Sequence, residues 1–193
     1  GRSILLVTSC EGISYPKPAL STALAHGKSA GDLAEQDAET KAAELGIEVR
    51  TETRVLKIDT SKKRITTAKG GINYGQLVLA MGEQQRALPI DGDAADQVLR
   101  VNDLAAYRRM RQRLDDGVRH VTILGAGLIG CEFAEDLSSA GYDVSVVDPT
   151  DYPLASLLPA ETGGQLRETL QRKGVSWLFH ATADRLERSG SRL

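Results

Sequence analysis

The chain has 193 residues, 41% hydrophobic and 26% charged, with a formal net charge of -2. That length builds one sizeable core or two small ones, and the charge argues against a broad nucleic-acid or anionic-membrane surface. No apolar run approaches a membrane span, and Cys10 and Cys131 form no CxxC or metal spacing, which predicts a reducing, cytoplasmic setting.

The predicted elements begin with residues 4–8, a short apolar run expected as a buried parallel strand. Pro16 and Pro18 then flank Lys17 and stiffen the backbone around it. Lys17 is either aimed at a ligand or an ordinary solvated loop lysine. Residues 33–45 read as a helix stopped by Gly46. Residues 47–50 and 54–59 read as strands. Residues 64–68 and 72–74, around the turn Lys69-Gly70-Gly71, suggest a β-meander. Residues 76–80 read as another buried strand, closed by Met81-Gly82. Asn102 is a plausible N-cap for a helix through Leu114, with an apolar stripe at helical spacing. Its arginines, Arg108, Arg109, Arg111 and Arg113, form either an acidic partner's docking site or a solvated face balanced by nearby aspartates.

Residues 121–148 carry the strongest signal. A short apolar strand leads into Gly125-Ala126-Gly127-Leu128-Ile129-Gly130, then a helix, a second apolar strand and Asp148. Each glycine of this Gly-x-Gly-x-x-Gly turn has a mechanical role. Gly125 allows a sharp turn, Gly127 lets a pyrophosphate approach the backbone, and Gly130 permits close helix packing. The helix start, with Leu128 and Ile129, offers N–H groups and a positive dipole end to phosphates. Asp148 stands eighteen residues past Gly130, where an acid can accept from an adenine ribose. A carboxylate there favours NADH over NADPH, and residues 149–158 hold no arginine to neutralise a 2′-phosphate. Residues 161–173 read as a helix stopped by Gly174, followed by strands at 175–180 and 183–188. The histidines have no metal-ligand spacing, and no metal is expected.

The halves echo each other. Residues 42–49 and 170–177, 128 positions apart, are both a helix end, a glycine and a strand. Residues 4–8 then correspond to 144–148. In the second copy a glycine-rich βα unit precedes that strand; in the first it would lie before Gly1. The expectation is a chain that begins inside one dinucleotide-binding domain and stops inside another. The fold class is α/β, with two incomplete Rossmann-like, doubly wound parallel-sheet domains and a small β-meander. The expected division is residues 1–100 and 101–193.

The chain resembles the FAD-dependent pyridine nucleotide-disulfide oxidoreductases, in particular their rubredoxin reductase branch. The resemblance rests on Ser14-Tyr15-Pro16-Lys17-Pro18-Ala19-Leu20-Ser21-Thr22, Thr53-Arg54-Val55, residues 74–82, Gly92-Asp93, Asn102-Asp103-Leu104 and the run from Gly125 through Cys131-Glu132-Phe133-Ala134 to Ser139. It implies a partial FAD-binding domain followed by a partial NAD-binding domain, with FAD and NAD as cofactors. Hydride passes from NADH to the flavin, and electrons then pass to rubredoxin or another small iron–sulfur carrier. It further implies that Lys17 lies near the flavin and that Glu132 lies close to nicotinamide and flavin. Val55 would contact the adenine end of FAD through its backbone, and Ala80, Met81 and Gly82 would border the FAD. Met81 stands where the family commonly has threonine. No cysteine lies between Ser14 and His26, where disulfide reductases of the related class need a pair and peroxide- or coenzyme A-linked relatives a single one. Alternatives are a ferredoxin reductase-type flavoprotein, the flavin domain of a nitrite reductase, or an NAD-binding module without activity. Cys131, in the first turns of the helix, is either activated by the helix dipole or packed against the sheet.

Overall fold

The structure is a computed structural model and describes residues 3–189. It divides into two compact units, one of residues 1–15 and 34–83, the other of residues 16–33 and 84–193.

In the first unit, β1 (Leu5–Val7) pairs in parallel with β2 (Glu48–Arg50), Leu6 opposite Val49. Between them lies α1 (Ala38–Leu45). The helix starts five residues later than its alanine- and glutamate-rich composition suggests. The Asp37 carboxylate accepts the Thr40 N–H at 2.7 Å and fixes the N-cap there. Gly46 ends it at φ +63°, and the N–H groups of Gly46 and Ile47 bond back to the carbonyls of Ala43 and Ala42. This Schellman closure satisfies carbonyls the helix end leaves open. The same unit holds an antiparallel meander of β3 (Val55–Asp59), β4 (Arg64–Thr67) and β5 (Gly70–Asn73). Gly70 and Gly71 belong to β5 rather than to the turn, which is Ala68-Lys69. Thr67 secures that turn, its hydroxyl donating to the Gly70 carbonyl at 2.9 Å and accepting from the Lys69 N–H.

Residues 76–80 form no strand. Val78 is 85% and Met81 83% exposed. An apolar run has strand tendency, but a strand exists only where a neighbour supplies the ladder, and no described strand pairs with this one. Residues 183–188 likewise form no strand; their one ladder contact is an isolated parallel bridge from Arg185 to Asp91.

The second unit is built on a parallel sheet in the order β6 (His120–Leu124), β7 (Asp143–Asp148), β8 (Val175–Phe179). Around it lie α2 (Leu104–Asp115), α3 (Leu128–Ser139) and α4 (Ala160–Arg172). Asp103, not Asn102, caps α2 and accepts the Ala106 N–H at 2.7 Å. The predicted stripe is real, with Leu104, Tyr107 and Leu114 buried along with Met110. The β1–β2 and β7–β8 pairs are the structural form of the internal repeat, each a strand, a helix, a glycine and a second parallel strand. Among the described residues, Ile65 is the buried apolar side chain of the first unit, while the others, from Leu20 to Val175, lie in the second. Each large buried apolar side chain contributes about 1.5–3 kcal/mol, so hydrophobic stabilisation is concentrated in the second unit.

Candidate functional site: a glycine loop closed by an aspartate

The chain leaves β6 at Gly125, whose φ of +112° is a conformation that side chains rarely adopt. Its N–H donates to the Val147 carbonyl at 2.8 Å, so the turn begins tied to β7. Gly127 is the N-cap of α3 and supplies no side-chain cap to the first-turn N–H groups. A Cβ built there meets nothing within 4 Å, so the space beside this backbone is open. Gly130 differs. A Cβ there would stand 2.0 Å from the Gly125 carbonyl oxygen, so the helix and the turn touch at a point where only hydrogen fits. Leu128 and Ile129, half exposed, stand at the same helix start.

Asp148 ends β7 and is 9% exposed. Its Oδ2 accepts the Ala126 N–H at 2.6 Å; its Oδ1 accepts the N–H and the hydroxyl of Thr150 at 2.8 and 2.5 Å. Burial opposes its charge, yet the Ala126 and Thr150 bonds prevail and hold the carboxyl below the usual range. Ala126 is a junction, since its carbonyl also accepts the Leu154 N–H at 2.9 Å and the Cys131 thiol at 3.4 Å. Asp148 therefore closes the glycine loop from within the protein, a role that its spacing alone did not reveal. The Asp-x-Thr pattern that supplies Thr150 is a local turn signal readable in sequence. The junction at Ala126 has no such signal.

These features fit a dinucleotide. The open backbone at Gly127, the uncapped helix start and a carboxylate at the end of the second strand are the elements that hold a pyrophosphate and a ribose.

A second cluster lies further along α3. Lys17 opens a 3-10 helix, Lys17–Ser21, and is exposed. Ser21, at its end, donates from Oγ to Glu132 Oε2 at 2.6 Å. The segment that Lys17 opens is thus tied to Glu132 through Ser21. Asp136, one turn beyond Glu132, is fully buried and accepts the N–H groups of Leu24 and Ala25. Desolvation pushes its carboxyl up, although both amide bonds oppose this. Cys131 is buried, and desolvation, aided by the Asp148 and Glu132 charges, pushes its thiol up to about 11. The packing alternative for this cysteine is the one the structure supports.

Val55, Ala80, Met81 and Gly82 belong to the first unit. Val55 opens β3 and is 38% exposed. Residues 80–82 lie in the exposed stretch outside any strand, and a Cβ at Gly82 would meet nothing within 4 Å.

The fold and glycine site define a dinucleotide-binding α/β protein. The chain belongs to the pyridine nucleotide-disulphide oxidoreductase family, whose model matches residues 1–193. It is 40% identical over 176 residues to the rubredoxin-NAD(+) reductase of Alcanivorax borkumensis, a match covering 91% of this chain and 46% of that protein. It is 37% identical to the nitric oxide reductase FlRd-NAD(+) reductase of Pectobacterium atrosepticum, covering 96% and 48%. Among solved structures it resembles the ferredoxin reductase for the CYP199A2 system of Rhodopseudomonas palustris, with a TM-score of 0.85, 29% identity and coverage of 97% and 46%. The chain spans about half the length of the curated relatives it matches.

Proposed function

We propose that this chain is part of an NADH-dependent flavoprotein oxidoreductase that passes electrons from NADH through FAD to rubredoxin or a similar small iron–sulfur carrier. Residues 101–193 would be the NADH-binding portion and residues 1–100 part of the FAD-binding portion. The reading is supported by the names of the relatives and, above all, by the glycine loop that Asp148 closes at the start of α3. When bound, NADH supplies a hydride at its nicotinamide. This chain's residues bind and orient it. The backbone at Gly127 and the first-turn N–H groups of α3, with Leu128 and Ile129, receive the pyrophosphate. Asp148 accepts from the adenine ribose, Glu132 lies close to the nicotinamide and flavin, and Lys17 lies near the flavin. A cytoplasmic setting belongs to the same proposal; both cysteines are free thiols, and among the described residues no helix is long and apolar enough to cross a membrane.

A second reading, an NAD-binding module without activity of its own, draws support from the exposed residues 76–82 in the first unit. A visible spectrum and an NADH titration of the purified chain separate the two. A flavin band bleached by NADH supports the first, and a colourless protein that binds NADH supports the second. The ribose role has its own test. Asp148→Ala is expected to weaken NADH binding about tenfold, the loss of a good charge-assisted hydrogen bond, and NADPH binding less. Equal losses would remove Asp148 from the ribose site.

A further inference from the structure

Glu132 and Asp136 stand one helical turn apart on the same face of α3. Both bind the segment that carries Lys17. Asp136 Oδ1 accepts the Ala25 N–H at 2.7 Å and Oδ2 the Leu24 N–H at 3.1 Å. These bonds fix the backbone just beyond Ser21. The Ser21 side chain is 3% exposed, and its hydroxyl lies 2.6 Å from Glu132 Oε2 and 3.2 Å from the Pro18 carbonyl. A hydroxyl has one proton to donate, and the shorter bond to a carboxylate is the stronger. Glu132 itself is exposed and borders an apolar cavity of about 260 Å³, lined also by Thr22, Leu128, Cys131, Leu154 and Leu170. An exposed glutamate on a helix is ordinarily rotamer-rich. Here one of its oxygens is held by a buried donor that water cannot readily replace.

We propose that Ser21 is a positioning residue for Glu132. Its hydroxyl holds one carboxylate oxygen in place, with Asp136 fixing the backbone that carries it, so that Glu132 meets the nicotinamide end of the dinucleotide in one orientation. The nicotinamide part of this rests on the NADH reading above; the Ser21–Glu132 bond does not.

The test uses the full 193-residue chain. In ligand-free protein labelled with ¹³C at the glutamate carboxyls, the Glu132 resonance is the one missing in Glu132→Gln. It is expected to move in Ser21→Ala and to return towards its original position in Ser21→Thr, with Ser21→Cys, a weaker donor, in between. NADH titrations then ask whether the two residues act as one. Ser21→Ala is expected to raise the NADH dissociation constant about three- to tenfold. Ser21→Ala combined with Glu132→Gln should bind no more weakly than Glu132→Gln alone. A merely structural serine would move neither the carboxyl resonance nor the coupling. An unmoved resonance in Ser21→Ala and Ser21→Cys overturns the proposal, as do losses that simply multiply in the double variant. An unsubstituted chain that binds no NADH overturns the nicotinamide reading, and the carboxyl resonance then decides the Ser21 bond by itself.

Discussion

At Asp148 a single carboxylate closes the glycine loop through Ala126 and turns the following segment through Thr150. The pH dependence follows from the sign of its shift. A carboxyl held below its ordinary value stabilises the fold above about pH 4, its unfolded range, and that contribution disappears as pH falls through the folded value. Asp136 has the opposite sign. Its carboxyl is raised by burial, so in the window between its ordinary and raised values stability falls as pH rises. Urea unfolding of Asp148→Asn from pH 7 to pH 3 is expected to show a gap from the parent chain that narrows with acid. Gly130 gives a prediction of another kind. Gly130→Ala puts a methyl group against the Gly125 carbonyl, which must shift, at a cost of about 1–3 kcal/mol. Thermal melts should show that loss, together with weakened NADH binding. Cys131 should resist alkylation at neutral pH until the protein unfolds, because its thiol is buried and pushed up to about 11. Mass-resolved iodoacetamide labelling, with exposed Cys10 as the accessible reference, checks this.

Among the elements, α3 does the most joining. Its first turn faces the glycine loop, its middle holds Ser21, Leu24 and Ala25, and Glu135 pairs with Lys173 just beyond α4. The last of these pairs is well exposed and contributes at most about 1 kcal/mol. The Asp136 bonds are different in kind, because removing a buried acceptor strands two amide donors. Asp136→Ala is expected to cost about 2–4 kcal/mol. Hydrogen exchange at Leu24 and Ala25 should accelerate more than at β7, and uniform acceleration would show a global effect instead. The repeat is also settled at this scale. β1–β2 and β7–β8 are parallel pairs joined through a helix and a glycine, as the matching residues 42–49 and 170–177 imply. The helix starts were less legible. Composition favours helix from residue 33, but the side-chain cap at Asp37 decides where α1 begins.

Across the whole molecule, burial is uneven. Ile65 is the buried apolar side chain of the first unit among the described residues, whereas the second has a core running from Leu20 to Val175. Amide exchange should therefore be slower in β6, β7 and β8 than in β1 and β2. Comparable protection in both sheets would contradict this distribution. The glycine turn, the acid eighteen residues on, the α2 stripe and the α/β class were determined by the sequence alone, because each is written in residue type, spacing and period along the chain. Only the tertiary structure decided that residues 76–80 are exposed rather than a strand, since strand formation needs a partner that local pattern cannot supply. It also decided what Asp148, Ser21 and Asp136 hold. Their partners lie 22, 111 and up to 112 positions away, distances over which no sequence period operates.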